Sequence, residues 1–332
     1  MTHYRPFLNT DPPALVRLWN EALPSLGVAR PLRVHELDEH AFNSAIFDRE
    51  GLIVAIREGR PVGFAHAGFG PPDPIEQSPP LALCQSLGTV AMLVIDPAHA
   101  HPHLAQGLIL AAERYLRTHG ARVLYAGSLY PLNPFYWGIY GGSEGAGIVS
   151  SHASFILAVT QLGYEPVSTV VSLQYDVATL EPRDPRFILI RRQTMIDHEE
   201  DVVPENWWIN LALGKLHLTR IRLLNRADGS ELARVTTWDM NAFGRQDGRP
   251  RVGLIGLKVA PTHRGKGYGK YLVCELIRWA RDRSIALIET QAMATNEAAL
   301  SLYNTVGFEA FDQSQLYRLP AALLERSDTI ST

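Results

Sequence analysis

Apolar positions in the C-terminal third of the chain follow two different periods, with a glycine-rich stretch between them. Residues 251–261, RVGLIGLKVAP, form a short apolar run with β-branched side chains and a closing proline, which predicts a buried strand. In the segment that follows the glycines, apolar residues share one face at helical spacing. These are Leu272, Leu276, Ile277 and Ala280. The pattern predicts the order strand, glycine-rich turn, helix.

The glycine-rich turn, THRGKGYGK, has the chemistry of an anion site. The first turn of a helix carries unpaired N–H groups and a partial positive charge, and glycines let a phosphate approach the backbone. Arg264 and Lys266 add positive charge there. The spacing of Gly265, Gly267 and Gly269 fits neither the G-x-x-x-x-G-K-[ST] loop nor the G-x-G-x-x-G dinucleotide fingerprint. The pattern that remains is R-x-x-G-x-G.

This turn and the residues after it resemble the signature of the GNAT superfamily of acetyl-CoA-dependent N-acetyltransferases. The order is R-x-x-G-x-G, then a strand, then N-x₆-Y-x₃-G-F. The residues that carry it are Arg264, Gly267, Gly269, Asn296, Tyr303, Gly307 and Phe308. The resemblance implies an acetyl-CoA site in a wedge between two splayed strands, GLIGLKV and IALIETQ. No metal is predicted. The residues expected to hold the cofactor are Leu257, Lys258, Val259, Arg264, Gly265, Lys266, Gly267, Tyr268, Gly269, Lys270, Asn296 and Tyr303.

The resemblance also implies roles in catalysis. Tyr303 resembles the family's general acid, which gives a proton to the departing thiol, although it could also only pack on the cofactor. Glu289 lies in an otherwise apolar strand that would desolvate its carboxylate, which favours a general base. Asp239 is the other candidate for the base, and a proton path through water is a third. Asn296 could equally serve only as the N-cap of its helix.

An earlier segment repeats the pattern of the loop and its helix. VIDPAHAHPHLAQGLILAAERYLRTHG, at 94–120, overlays KVAPTHRGKGYGKYLVCELIRWARDRS, and strand–turn–strand patterns precede both copies. The chain is therefore predicted to be α/β (α+β), with two tandem GNAT-like domains at 1–178 and 185–325. Each domain is expected to be a mixed, mostly antiparallel sheet flanked by helices.

The first copy of the loop lacks the residues that a phosphate needs. Ala100, His103 and Ala105 stand where the second copy has an arginine and two glycines, and the ring of His103 would block a phosphate. The histidines of HAHPH could form a metal tract, but we interpret them as part of this degenerate loop. One working cofactor site is expected, in the C-terminal domain.

A proline- and aromatic-rich stretch, PLNPFYWGIYGGSEGAG at 131–147, interrupts the N-terminal domain. It is an insertion under the overlay that places Val159 on Tyr303. A second overlay, which places Asn133 and Tyr140 on the C-terminal motif, breaks the spacing to the last glycine. Long loops of this kind often carry function. The stretch is either a self-packed loop or the lining of a pocket.

Composition narrows the class of protein. The chain has 332 residues and a formal charge of −3, so no nucleic-acid partner is predicted. Its longest apolar runs are too short to span a bilayer, and its N-terminus lacks the pattern of a signal peptide. Cys84 and Cys274 form no disulfide framework, and Cys274 fits a buried structural position. These features favour a cytoplasmic protein without a membrane partner.

The resemblance implies the transfer of an acetyl group from acetyl-CoA to an amine of a small molecule. The C-terminal domain would be catalytic, and the N-terminal domain would support the structure or the acceptor site. The tandem layout is similar to that of mycothiol-synthase-like acetyltransferases. A non-catalytic acyl-CoA-binding sensor is the alternative. The acceptor, the length of the acyl chain and a homodimeric state stay open.

Overall fold

The computed structural model describes residues 2–75, 82–243 and 247–324, and the ends of the two predicted domains, residues 1 and 325, lie outside them. The strands are β1 (Thr2–Pro6), β2 (Leu52–Arg57), β3 (Arg60–Gly70), β4 (Cys84–Ile95), β5 (Val123–Ala126), β6 (Ile148–Val149), β7 (Glu165–Asp176), β8 (Thr194–Glu200), β9 (Leu218–Asn225), β10 (Glu231–Asp239), β11 (Arg251–Val259), β12 (Leu287–Met293) and β13 (Glu309–Arg318). The helices are α1 (Pro12–Ala22), α2 (Val34–Leu37), α3 (Pro102–Thr118), α4 (Ala153–Gln161), α5 (Arg186–Gln193), α6 (Trp207–Leu213), α7 (Tyr268–Asp282) and α8 (Glu297–Val306).

The two halves of the chain repeat one succession of elements. In the N-terminal half it is β2, β3, β4, α3, β5 and α4, and in the C-terminal half it is β9, β10, β11, α7, β12 and α8. Strand pairs are antiparallel except β4 with β5 and β11 with β12, which are parallel. The α/β (α+β) class and the two tandem domains, each with a mixed and mostly antiparallel sheet, are confirmed.

The last strand of each half pairs within the other half. The sheet runs β1-β2-β3-β4-β5-β13-β7-β12-β11-β10-β9-β8. Strand β7, which follows α4 in the sequence, lies beside β12. Strand β13, which follows α8, lies beside β5. Leu173 and Tyr175 of β7 accordingly belong to the C-terminal core, and Tyr317 of β13 belongs to the N-terminal core. The predicted boundary at 178–185 falls between β7 and α5 and stays a prediction.

A third apolar core joins the halves on the opposite face of the sheet. It contains Leu15 and Trp19 of α1 together with Trp238 of β10 and Ile255 of β11. The aromatic residues of the 131–147 stretch also lie in it, and all of them are buried: Phe135, Tyr136, Trp137 and Tyr140. Burial of large aromatic side chains dominates the energetics of such contacts. The two halves therefore meet through a hydrophobic core rather than through a hydrated surface.

Candidate active site

A wedge opens where β11 and β12 stop pairing. The two strands are in register over Arg251–Leu254 and Leu287–Thr290, and both continue beyond that pairing. A bulge accounts for the divergence, because Gly256 and Leu257 together oppose the single residue Val235 of β10. Gly256 has φ +62°, a left-handed conformation that a residue without Cβ adopts freely. The bulge turns β11 away from β12 and leaves its backbone edge open to a ligand.

The glycine loop lies at the mouth of this wedge and has room for an anion. Gly265 and Gly267 have φ +75° and +90°, and Gly267 is the N-cap of α7. A Cβ on Gly269 would lie 3.0 Å from Leu302 Cδ1 and 3.2 Å from Val259 Cγ2. The amides of the first helical turn have no intrahelical acceptor. Backbone N–H groups that glycines leave accessible fit the pyrophosphate of acetyl-CoA.

The wedge continues into a cleft of about 1140 Å³. The predicted cofactor residues that line it are Leu257, Lys258, Val259, Arg264, Gly265, Gly267, Tyr268, Gly269, Lys270, Asn296 and Tyr303. Lys266 is exposed and lies outside the lining. Asn296 caps α8 by accepting the Ala299 N–H at 3.2 Å, and it also lies in the lining of the cleft.

Arg186 of α5 adds a positive charge that sequence reasoning missed. Its guanidinium carbon lies 3.5 Å from the position that a Cβ on Gly267 would take. Asp184 accepts from Arg186 Nη2 at 2.7 Å and lies 3.5 Å from Lys270 Nζ. The hydrogen bonds from Arg186 hold the pKa of Asp184 well below its usual range. The carboxylate thus positions two cations beside the glycine loop, and no motif in the sequence marks Arg186 for that place.

Tyr303 lies at the inner end of the cleft, where the two strands begin to diverge. Tyr303 is 4% exposed and lies beside Thr290, the last residue of β12 in register with β11. Burial raises the pKa of Tyr303 to about 12, with a smaller contribution from the charge of Glu144, while the polar side chain of Thr290 opposes the rise. The phenol is therefore protonated at neutral pH and is able to give a proton.

The two carboxylates proposed as general base lie outside the residues that line the cleft. Glu289 is buried, and its Oε1 lies 2.5 Å from Arg251 Nη1. Its other carboxylate oxygen has no hydrogen-bond partner among the described residues. Asp239 is exposed and accepts the Asn241 N–H at the start of a short 3₁₀ turn. The assignment of Glu289 or Asp239 as the base stays a prediction.

The 131–147 stretch reaches across the halves into the cleft. Trp238 Nε1 donates to the Ser143 carbonyl at 2.9 Å, and the side-chain amide of Gln291 donates to the Gly141 carbonyl. Glu144, half-buried, then becomes part of the cleft wall together with Tyr303. Burial raises the pKa of Glu144 to about 7. The aromatic residues of the stretch therefore pack in the core, and Glu144 is the one residue of 131–147 in the cleft lining.

At the start of α3, in the corresponding loop of the N-terminal half, the described amides of residues 102–105 are either missing or already engaged. Helix α3 begins at Pro102, which has no N–H, and the His101 ring accepts the His103 N–H at 3.3 Å. The rings of His101 and His103 stack with centroids 5.0 Å apart. Val159, which the preferred overlay pairs with Tyr303, lies buried on α4 and has no hydroxyl to offer. The local geometry does not suit a phosphate.

Other candidate chemistry finds no support in the described residues. Within 2–75, 82–243 and 247–324, no group of three histidine, cysteine or acidic side chains is arranged to hold a metal ion. In the same ranges, no helix has the length and apolar character needed to cross a bilayer. Cys274 is buried in α7, and burial raises the pKa of its thiol to about 12, so it is not an activated nucleophile.

Known proteins match both halves of the chain. A model described as the acetyltransferase (GNAT) family matches residues 14–140 and 217–308, which together make up more than half of the sequence. The uncharacterized N-acetyltransferase YobR of Bacillus subtilis is 37% identical over 67 residues, which are 20% of this chain and 27% of that protein. The mycothiol acetyltransferase of Renibacterium salmoninarum is 36% identical over 64 residues, 19% of each chain. The matched segments thus span about a quarter or less of these curated relatives.

A solved structure extends the likeness to the whole chain at the level of fold. The tandem GNAT protein from the clavulanic acid biosynthesis pathway, solved without AcCoA, superposes with a TM-score of 0.66 at 14% identity. The superposition covers 97% of this chain and 99% of that one. With the wedge, the glycine loop and the family match in both halves, the chain belongs to the GNAT family of acetyltransferases.

Proposed function

We propose that the protein transfers an acetyl group from acetyl-CoA to an amine of a small molecule, and that the C-terminal half carries out the reaction. One observation carries the proposal: a single cleft joins a phosphate-accepting loop at its mouth to a buried, protonated tyrosine at its inner end. The N-terminal half has neither feature at the corresponding positions.

Acetyl-CoA supplies the acetyl group as a thioester when it is bound. The open edge of β11 at Leu257–Val259 would hold its amide-bearing arm as an added strand holds to a sheet. Amides of the glycine loop, with Arg264 and Arg186, would hold its phosphates. A β11 N–H near Val259 would stabilise the negative charge that develops on the oxygen of the thioester carbonyl.

Two proton movements remain for the protein's side chains. The departing sulfur gains a proton, and we assign that role to Tyr303, whose buried phenol has a pKa raised to about 12. The acceptor nitrogen loses one, and a carboxylate within reach of the cleft is needed. Glu289 is engaged by Arg251 outside the cleft lining, which weakens its case as that group.

The N-terminal half has a defined part in this proposal. Its 131–147 stretch packs its aromatic residues in the core that joins the halves and contributes Glu144 to the cleft lining. It therefore supports the acceptor side of the site, and substitutions in it should change the preference for the amine.

Release of free CoA tests the proposal. Purified protein, acetyl-CoA and each of ethanolamine, putrescine, phenethylamine and glycinamide are incubated, and the free thiol is measured with a chromogenic disulfide. Steady release that depends on an amine is expected from the wild type, and slower release from Gly267→Val at an acetyl-CoA concentration below saturation. Acetyl-CoA that raises the melting temperature without any release would instead favour the sensor.

A further inference from the structure

We infer that Glu144, which the N-terminal half contributes, is the general base that removes the proton from the acceptor amine in the C-terminal cleft. This inference rests on the proposed acetyl transfer and adds a residue to it. Its basis is the position of Glu144 in the cleft wall with Tyr303 and the backbone contacts that fix its loop.

The loop that carries Glu144 is held on both sides. The residue before it accepts from Trp238 of β10, and Gly141 accepts from Gln291 of β12. Between them, Gly142 lies so close to β12 that a Cβ on it would come within 3.2 Å of Glu289 Oε2. Gly142 has φ +101°, so a glycine is needed for this path. A catalytic group on a loop needs such supporting contacts to keep its geometry.

The electrostatic surroundings leave Glu144 free to exchange a proton. Tyr303 of α8 is close enough to feel the charge of Glu144, and Glu289 of β12 lies behind Gly142, two residues before Glu144. The other charged groups of the same cleft wall include Glu231 and Arg234 of β10. Arg234 pairs with Glu205 at 2.8 Å and lies 3.7 Å from Glu231, while Glu289 pairs with Arg251. Burial raises the pKa of Glu144 to about 7, so both protonation states are accessible near neutral pH, as a general base requires.

The proton balance of the reaction closes with Glu144 and Tyr303 acting together. As the nitrogen of a neutral amine forms its bond to the acetyl carbon, its N–H proton passes to the Glu144 carboxylate. The carbon–sulfur bond breaks, and the sulfur takes the proton of the Tyr303 hydroxyl. Glu144 then returns its proton to the tyrosine oxygen, and both side chains regain their starting states. The Coulombic effect of Glu144 on Tyr303 is consistent with this exchange.

The test compares pH profiles of kcat for wild type, Glu144→Gln and Glu144→Asp with whichever amine of the panel gives the fastest CoA release. For the wild type, the rate should fall below a pH of about 7 as the carboxylate becomes protonated. Glu144→Gln should lower kcat by roughly 100-fold or more, because general bases contribute about this much. Its pH profile should also lose the acidic limb, which is the fall in kcat below a pH of about 7. Glu144→Asp should keep the limb at a reduced kcat.

Two controls separate catalysis from folding. Calorimetric titration with acetyl-CoA should give dissociation constants within about twofold for wild type and Glu144→Gln, since the base does not hold the cofactor. Glu165→Gln makes the same change at an exposed position of the N-terminal half and should keep the wild-type profile.

The outcomes are distinguishable. A Glu144→Gln enzyme that keeps the wild-type kcat and pH limb overturns this inference and leaves the acetyl transfer standing. If Glu144→Gln is too unstable to assay, a Glu144→Asp enzyme without the limb or with unchanged kcat overturns it as well. A wild type that releases no CoA with any amine of the panel overturns the proposed function, and the base assignment fails with it.

Discussion

Trp238 of the C-terminal half donates its indole N–H to the backbone carbonyl of Ser143 in the N-terminal half, at 2.9 Å. A glycine from each half makes room for the ring. A Cβ on Gly253 would lie 2.3 Å from Trp238 Nε1, and one on Gly138 would lie 2.3 Å from Cη2. The contact fixes the distance between the cleft and the loop that enters it.

Replacing Trp238 with phenylalanine should loosen this loop. The Ser143 carbonyl would be left buried without its donor, which costs about 1–3 kcal/mol. We expect a lower midpoint of urea unfolding and a fall in kcat with little change in affinity for acetyl-CoA. Trp207→Phe is the matched control, because Trp207 also donates to one carbonyl, that of Ile75 at 3.3 Å, but is only partly buried. Equal losses of activity in both variants would contradict a specific role for Trp238.

Gly267→Val should weaken acetyl-CoA binding by about 10-fold or more, because a β-branched residue is strained at φ +90° and narrows the anion site. Calorimetric titration measures the effect. His103→Ala, at the corresponding loop of the N-terminal half, should leave the affinity unchanged. Similar losses from the two substitutions would show that the N-terminal loop also binds the cofactor.

Tyr303→Phe should lower kcat by roughly 100-fold, the usual contribution of a general acid, while the dissociation constant of acetyl-CoA changes by less than about twofold. Tyr271→Phe is the control, since Tyr271 is buried on α7 and lies outside the cleft lining. An unchanged kcat in Tyr303→Phe would remove the acid role and leave Tyr303 as a packing residue.

Separate expression of residues 1–180 and 181–332 should yield two pieces that do not unfold cooperatively. Each piece lacks one strand of its sheet and carries a strand whose buried residues, such as Leu173 and Tyr317, have lost their core. Co-expression should restore a complex with acetyl-CoA affinity. Scanning calorimetry measures the unfolding of each piece and of the complex. A cooperative transition in either piece alone, at the melting temperature of the whole chain, would contradict the idea that each half needs the last strand of the other.

Glu144 should also affect stability in a pH-dependent way. Its pKa rises from an ordinary 4.5 to about 7 on folding, so the folded chain binds the proton more tightly than the unfolded chain. Its stabilising contribution is complete below about pH 4.5 and is lost as the pH rises through about 7. Glu144→Gln should therefore gain free energy of unfolding relative to the wild type between pH 5 and pH 8, measured by urea denaturation. If the free energies of unfolding of wild type and Glu144→Gln change in parallel with pH, the Glu144 carboxylate is solvated in the folded protein.

The sequence predicted what depends on neighbours along the chain. The period of Leu272, Leu276 and Ile277 located α7, and the glycines located the loop that precedes it. The repeat at 94–120 predicted the tandem architecture. These features depend on local backbone preferences and amphipathic spacing, which a single sequence carries.

Contacts between distant segments could not be predicted in the same way. Strands β7 and β13 follow corresponding helices, and nothing in their patterns states which half receives them. Glu144 is a single carboxylate among glycines, and its burial arises only when the loop packs against Trp238 and Gln291. Arg186 likewise reaches Gly267 only because α5 packs beside α7.

The exchange of last strands has a consequence for how the chain is made. The ribosome completes β1 to β5 early, but the strand that lies beside β5 is β13, at residues 309–318. Until then, β5 presents an unpaired edge of the kind that invites wrong partners. The half of the protein that is synthesised first is therefore the half whose sheet closes last.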